Sequence, residues 1–206
     1  MKKLIIAAMM CMPLTLMAQN SWEEQEDVVE TNGNVTHVNP DQKYLAGAVP
    51  EVDGRVTFTK TISAPGKSAD QVFDIVSKYL QKMTKEKNQF EQSRLVENDK
   101  AKHEVVGSYQ EWLVFKSTAL VLDRTRLYYT LMVNCKDGAA DVTMTRIYYL
   151  YDEERDATTY KAEEWITDQY GLKKNKDKLS RVSGKFRKKT IDRKDFIFNK
   201  LQSLLK

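Results

Sequence analysis

The histidines and cysteines, which could bind a transition metal or supply a thiol nucleophile, are few and far apart. The chain has two histidines, His37 and His103, and two cysteines, Cys11 and Cys135. No His-x-x-x-His spacing occurs, and the two cysteines are too distant to resemble the paired ligands of a zinc site. We therefore expect no bound metal and no cofactor.

Acid–base chemistry has two candidate locations. His103 could work with a nearby acid, because the members of a catalytic triad come together in space rather than in sequence. However, the Gly-x-Ser-x-Gly elbow of many hydrolases is missing. The carboxylates at 152–154 and 163–164 have the residue type of glycosidase acids, but adjacent acids on a polar segment are typical of a solvated surface. We predict no catalytic residue and keep a hydrolase centred on His103 as an alternative.

The first eighteen residues predict export. Lys2 and Lys3 precede an apolar run at residues 4–17, which is too short for a membrane-spanning helix and typical of a signal-peptide core. We expect cleavage between Ala18 and Gln19. A lipoprotein signal on Cys11 would need small residues before the cysteine, and they are missing. The mature chain, without a transmembrane segment, would be periplasmic, attached to the cell envelope or secreted.

Export leaves Cys135 as the only cysteine of the mature chain, so no internal disulfide can form. Cys135 follows Met132, Val133 and Asn134 at the end of a predicted strand. A thiol in such a place is typically a small buried hydrophobe, and the sequence shows no setting that would stabilise its thiolate.

Charge divides the mature chain into two parts. Residues 19–160 carry 17 Lys and Arg against 23 Asp and Glu, whereas residues 161–206 carry 14 against 6. The basic part either attracts anions or neutralises the acidic body of its own domain. Its "GKFRKKT" stretch supplies four candidate anion-binding residues, Lys185, Arg187, Lys188 and Lys189. Because export removes the protein from most nucleic acid, we expect these residues to dock on the acidic body of the domain or to contact an anionic glycan or lipid surface, and we expect no nucleic acid.

The chain organises into a leader and one domain. Residues 19–42 are acidic and poor in apolar side chains, which predicts a flexible leader. A strand is expected at 55–62, where β-branched residues alternate with others. Ser68 and Gln71 form a capping-box pattern that starts a helix, and an apolar stripe follows with helical spacing.

Strands follow this helix. We predict strands at 93–97, 103–115, 118–122, 126–135 and 140–151, with Asp137 and Gly138 turning a hairpin between the last two. A polar segment, 157–189, would be held by Trp165 and Tyr170, and a final helix would run from 190 to 205. The order β-α-β-β-β-β-α predicts an α+β fold, an antiparallel sheet of about five strands with two helices on one face.

If both helices cover one face of the sheet, the other face is open for binding. Strict alternation along 126–135 and 140–151 places three tyrosines and a methionine, all with large apolar area, on that open face. Tyrosine suits recognition because it combines apolar area with a hydroxyl at low entropy cost. The candidate ligand-binding or partner-binding residues are Tyr128, Met132, Tyr149 and Tyr151.

Three stretches also resemble a known family. They read "KYLAGAVPEVDGRVTFTKTISAPGKSADQVFDIVSKYL", "VNCKDGAADVTMTRIYY" and "AEEWITDQYGLKKNKDKLSRVSGKFRKKTID". They resemble an exported bacterial family built on a domain of unknown function with a TBP-like fold, from about residue 43 to the C-terminus. The resemblance implies the same sheet-and-helix fold and no established activity, cofactor or catalytic residue. "TBP-like" describes a shape and does not imply DNA binding.

The function we expect is that of a non-enzymatic cell-envelope or secreted module. It would bind an unknown protein or a small amphipathic ligand through the open sheet face or a groove beside the helices. Besides the hydrolase centred on His103, the other alternative is a binder of anionic glycan or lipid that uses the basic C-terminal segment. The sequence does not predict an oligomeric state.

Overall fold

The structure, a computed structural model, describes residues 39–206. The predicted signal peptide and most of the predicted leader lie outside the described residues, and the leader's last residues run into a 3-10 turn at Gln42–Tyr44. The elements in chain order are β1 (Glu51–Val52), β2 (Arg55–Val56), β3 (Phe58–Ser63), α1 (Ala69–Met83), β4 (Arg94–Asp99), β5 (Glu104–Ser117), β6 (Leu122–Lys136), β7 (Ala139–Tyr151), β8 (Thr158–Lys161) and α2 (Ser183–Leu205).

Six strands, β3 to β8, form one antiparallel sheet, and five of them are neighbours in the order β3-β7-β6-β5-β4. Strand β8 pairs with the C-terminal part of β7, on the edge where β3 pairs with its N-terminal part. Both helices pack on one face and on each other. The predicted antiparallel sheet with two helices is confirmed. It has one strand more than expected because β8 lies in the segment predicted to be an irregular connection.

Helix α1 begins where the capping box predicted. The Ser68 side chain accepts a hydrogen bond from the backbone N–H of Gln71 at 3.3 Å, and the Gln71 side chain accepts one from the Ser68 N–H at 2.9 Å. These two bonds satisfy donors that the first helical turn leaves free. The predicted apolar stripe is buried against the sheet: Val72, Phe73, Val76, Tyr79, Leu80 and Met83.

The two long hairpins, β5–β6 and β6–β7, differ from the predicted strands at the tip of the first. Asp137 and Gly138 do connect β6 to β7, with Gly138 at φ +72, a conformation that glycine adopts without strain. Residues 118–122 were predicted as a strand, but 118–121 form the tip between β5 and β6, and only Leu122 belongs to a strand, as the first residue of β6. Thr118 N–H donates to the Val121 carbonyl at 2.8 Å and closes that turn.

Helix α2 begins at Ser183, earlier than the predicted start at residue 190. The prediction was wrong because the cations before residue 190 indicated a solvated segment. In the structure Phe186, Arg187 and Thr190 are buried at helical spacing. The aliphatic part of an arginine side chain can be buried when its guanidinium finds acceptors, so a basic sequence can still form a helix face that packs on the core.

An ion pair lies in the middle of the domain. Arg193 on α2 donates to both carboxylate oxygens of Glu111 on β5, at 2.7 and 2.8 Å, and both side chains are fully buried. Asn88 and Gln89 add further donors to Glu111, and Arg193 also reaches Glu86 at 2.9 Å. Burial raises the pKa of the Glu111 carboxyl above its ordinary value, although the neighbouring guanidinium opposes that rise. The pair joins α2, the sheet and the loop after α1.

We expect Arg193→Met to lower the free energy of unfolding by about 3–5 kcal/mol at neutral pH, because Glu111 is left buried without its cation. The pKa of Glu111 then rises further. A carboxyl whose pKa is higher in the folded protein stabilises the fold at low pH, and this stabilisation is lost as pH rises through the folded-state pKa. Urea unfolding should therefore show a smaller deficit at about pH 4 than at about pH 7.

The matched control is the double variant Glu111→Leu with Arg193→Met, which removes both charges. It should be more stable than Arg193→Met alone, because apolar pairs often replace buried ion pairs without loss. A single variant within about 1 kcal/mol of the wild type at both pH values would contradict the structural role given to this pair.

Cys135 is buried at the end of β6, and burial raises the pKa of its thiol to about 12. We expect iodoacetamide to label the Cys135 peptide slowly in the native protein and rapidly in denaturant, because only the thiolate reacts. Peptide mass spectrometry measures both rates. A Thr59→Cys variant gives the exposed control, and equal labelling of Cys135 in both states would contradict its burial.

Candidate functional site

The sheet face opposite the helices, called the open face below, is covered by no element of the described chain. Its side chains come from β5, β6 and β7 and are aligned in rows across these strands. One row joins Gln110, Tyr128 and Tyr148, and the next joins Trp112, Arg126 and Leu150. Further along these strands, the open face consists of hydroxyl side chains: Ser108, Thr130, Thr143 and Thr145.

A β-bulge in β7 changes which residues reach this face. The register between β6 and β7 shifts after Tyr128, and Arg146 at the bulge has φ +55. The extra residue reverses the alternation that holds for the first part of β7. Strict alternation therefore placed the later residues wrongly: Tyr148, which was not predicted, lies on the open face, and Tyr149 faces the helices.

The four predicted binding residues are consequently divided between the two faces. Tyr128 and Met132 lie half-buried on the open face, as expected. Tyr149 is fully buried, with its hydroxyl 2.7 Å from the Thr190 hydroxyl of α2. Tyr151 is half-buried and donates to Asp123 at 3.0 Å. The rings of Tyr149 and Tyr151 lie 5.1 and 5.4 Å from that of Phe186, so both belong to the packing beneath α2.

The most exposed aromatic pair of the open face is Tyr128 with Tyr148. Their rings are nearly parallel, with centroids 4.2 Å apart and an interplanar angle of 9°. Tyr148 remains 39% exposed, and partial burial raises the pKa of its hydroxyl. No sequence signal marks this pair, because the bulge that creates it is formed by an arginine where glycine would be the usual sign.

Beside the tyrosines, cations and aromatic rings alternate. The Arg124 guanidinium lies 3.7 Å from the centre of the Trp112 ring, and that of Arg126 lies 3.8 Å from the Phe90 ring. Glu153 accepts two hydrogen bonds from Arg126, at 2.8 and 2.6 Å. Two parallel bonds of this kind fix the orientation of a guanidinium. Glu153, predicted to lie on a solvated surface, therefore holds an open-face arginine in place.

A cleft of about 340 Å³ lies at this end of the open face. Trp112, Leu122 and Leu150 contribute its apolar surface, and Asp123, Arg124 and the acids of the β7–β8 connection contribute its charged rim. This volume is at the small end of the range for ligand sites, and the mixture of apolar and charged walls suits an amphipathic group.

The predicted anion-binding residues are largely occupied by contacts within the domain. Arg187 is fully buried and donates to the carbonyls of Tyr44, Leu45 and Ile166 at 2.5–2.7 Å and to Asp168 at 2.7 Å. Burial lowers the pKa of its guanidinium, although Asp168 opposes the shift. Arg187 is therefore a structural residue, and the prediction that it binds external anions is wrong.

The lysines around Arg187 also have partners. Lys185 donates to Asp123 at 2.6 Å, and Lys188 donates to the Tyr44 hydroxyl at 2.8 Å and to Asp192 at 3.3 Å. Lys189 is half-buried on the same helix. These contacts agree with the alternative that this stretch neutralises acids of its own domain.

A hydrolase centred on His103 would need a carboxylate and a nucleophile within hydrogen-bond reach of the imidazole, and the structure supplies the carboxylate. His103 Nε2 lies 2.6 Å from Asp70 Oδ1, and this hydrogen bond lowers the pKa of the Asp70 carboxyl. Both side chains are substantially exposed. Within residues 39–206, no hydroxyl or thiol is hydrogen-bonded to His103, so the pair lacks the nucleophile that a triad needs.

Residues 39–206 contain neither a candidate metal-binding cluster nor a helix that could cross a membrane. No cluster of three or more His, Cys, Asp or Glu side chains in this range could hold a metal ion. Neither helix in this range is both long enough and apolar enough to cross a membrane.

Comparison with known proteins agrees with this architecture. Residues 58–150 match the family described as a domain of unknown function (DUF4468) with TBP-like fold. A TBP-like protein from Parabacteroides distasonis, solved at 1.90 Å, has a TM-score of 0.59 and 18% identity over 76% of this chain and 96% of its own, a likeness that shows the fold alone. No curated protein matches the sequence.

A second solved structure is much more similar. It is a DUF4468 family protein from Bacteroides ovatus, solved at 1.49 Å, which has a TM-score of 0.75 and 43% sequence identity. The match covers 82% of this chain and 96% of that protein. The family that the sequence resembled is thereby confirmed, and the chain belongs to the DUF4468 family, whose domain has a TBP-like fold.

Proposed function

We propose that the mature protein is an exported, non-enzymatic module that binds an amphipathic ligand or partner on the open face. The observation that carries this proposal is the exposed, stacked pair of Tyr128 and Tyr148 beside the cleft. A soluble domain normally covers or disperses its aromatic side chains, and aromatic clusters on an uncovered surface mark binding sites more often than other surfaces do.

The neighbourhood of the tyrosines supports binding rather than a purely structural role. Arg126 is already oriented by Glu153, and Arg124 by Trp112 and Glu154. A ligand would therefore meet side chains whose rotamers are fixed in advance, which reduces the entropy lost on binding. The apolar part of a ligand would lie on the tyrosine rings, and its polar groups would reach the cleft rim.

Arg146 indicates the charge of that ligand. It is exposed, its backbone is left-handed, and within residues 39–206 no acceptor is bonded to its guanidinium. A non-glycine residue in this conformation costs about 1–2 kcal/mol. An arginine placed at this cost two residues before Tyr148 can pair with an acidic group of the ligand.

Export is part of the proposal and rests on the N-terminal sequence. Native mass spectrometry of protein purified gently from its own cell envelope tests the proposal. The spectrum detects a ligand that co-purifies with the protein, and it also gives the mass of the chain. Cleavage between Ala18 and Gln19 is the expected result. A chain that still contains its first eighteen residues would contradict export.

The Tyr128→Ser, Tyr148→Ser double variant should lose the ligand that co-purifies with the wild type in native mass spectrometry, because both aromatic rings of the open-face pair are removed. Its urea unfolding midpoint should change little, since both residues face outward. The matched control is Tyr149→Ser, which differs by one position but removes a buried ring and should cost about 3–5 kcal/mol of stability. Retention of the ligand by the stable double variant would refute the open-face site.

Arg146→Gly should raise the free energy of unfolding by about 1 kcal/mol, because glycine adopts the left-handed backbone without strain. The same change should weaken ligand binding. Opposite effects on stability and binding would separate a ligand-binding role from a structural one. A variant that is less stable than the wild type would contradict the strain assigned to this bulge.

A further inference from the structure

A second surface, next to the cleft at the end of the open face, gathers exposed apolar side chains and exposed cations at one end of the domain. Among residues 39–206, nine large hydrophobic side chains are exposed, and five of them are at this end. Leu120, at the β5–β6 tip, is 96% exposed. The five, called the apolar tip set below, are Leu120, Val121, Leu122, Tyr170 and Val182.

Contacts with the first turn of α2 hold this set together. Lys185 on that turn bonds Asp123, directly after the β5–β6 tip, and its ammonium lies 4.6 Å from the Phe115 ring on the other strand. Ser183 donates to the Tyr170 carbonyl at 2.5 Å. Val182 immediately precedes the helix. The tip of the long hairpin and the segment before α2 are therefore fixed to the same helical turn.

A basic loop extends from the same place. Residues 172–181 form a small antiparallel loop, closed by a hydrogen bond from Lys173 N–H to the Lys178 carbonyl at 2.9 Å. Its base packs on α2, since Leu179 lies so near Gly184 that a Cβ there would come within 2.8 Å. The loop has a single acid, Asp177, and five exposed cations: Lys173, Lys174, Lys176, Lys178 and Arg181.

Within residues 39–206, these loop cations differ from Lys185, Arg187 and Lys188 of α2, each of which pairs with an acid. Within residues 39–206, none of the five makes an ion pair or a side-chain hydrogen bond with an acid, whereas Lys185 and Arg187 are both paired. Like charges this close repel one another and destabilise the compact state unless an external anion neutralises them. The basic loop is therefore the part of the C-terminal segment that is open to an anionic surface.

From this juxtaposition we infer that the protein docks peripherally on an anionic lipid bilayer. The apolar tip set would enter the headgroup region, and the basic loop would contact acidic headgroups. Apolar insertion together with basic side chains is the combination that binds proteins to membrane surfaces. The apolar residues favour a bilayer over a soluble polyanion, which offers nothing to bury them. Val121 and Leu122 also line the cleft, but this inference does not depend on the Tyr128 and Tyr148 pair that carries the proposed function.

Vesicle co-sedimentation tests it with the full mature chain. The probes are vesicles of phosphatidylcholine alone and of phosphatidylcholine with phosphatidylglycerol. We expect binding to the anionic vesicles only, and weaker binding in high salt because headgroup charges are screened. Equal binding to both vesicles, or no binding to either, would overturn the proposal.

Two variants test the two parts of the surface. Lys174→Gln with Lys176→Gln should weaken binding by about 20- to 30-fold, since each basic residue near an anionic bilayer contributes roughly fivefold. Leu120→Ser should weaken it by about tenfold through lost apolar burial. Lys85→Gln with Lys87→Gln, and Val52→Ser, make the same chemical changes at exposed positions elsewhere and should bind as the wild type does.

The pattern of losses also separates a membrane from another anionic partner. If the loop variant loses binding but Leu120→Ser does not, the surface recognises a polyanion without inserting, and the bilayer proposal fails. If neither variant changes binding to anionic vesicles, the site lies elsewhere. Circular dichroism of each variant confirms folding, and both loop positions and Leu120 are exposed, so their replacement leaves the core intact.

Discussion

The fold depends on buried arginines that attach α2 to the rest of the chain. Arg193 bonds Glu111 on the central part of β5, and Arg187 bonds three backbone carbonyls and Asp168. A buried guanidinium is tolerated only where acceptors surround it, because its desolvation otherwise costs several kcal/mol. These acceptors come from segments distant in sequence, so the helix has one satisfactory position on the sheet. With α2 and α1 both on one face, the opposite face is left uncovered.

A local irregularity then determines what the uncovered face presents. One extra residue at Arg146 moves Tyr148 outward and Tyr149 inward. The same bulge therefore supplies the core with the ring that packs on Phe186 and supplies the surface with the ring that stacks on Tyr128. The open face and the core are coupled by this single backbone feature, because side chains alternate strictly on either side of it.

The basic C-terminal part has two roles that composition alone cannot separate. Lys185 and Arg187 of α2 lie against acids and carbonyls of the domain, and they compensate charge within it. The cations of loop 172–181 extend into solvent next to the exposed β5–β6 tip. The tyrosine pair of the open face and this end of the molecule thus differ chemically, one being aromatic and the other basic with an apolar edge, and they adjoin at the cleft that Leu122 lines.

The sequence by itself determined the elements whose signals are local. Helix α1 follows from its capping box and apolar stripe, the β6–β7 hairpin from Asp137 and Gly138, and the α+β class from the order of strands and helices. The early start of α2, the bulge at Arg146 and the pairing of β8 were decided by the tertiary structure. Each depends on partners remote in sequence: carbonyls for Arg187, the β6 register for Arg146 and the free edge of β7 for β8. The candidate site was therefore only half predicted, since Tyr128 and Met132 precede the bulge, and Tyr148 and Tyr149 follow it.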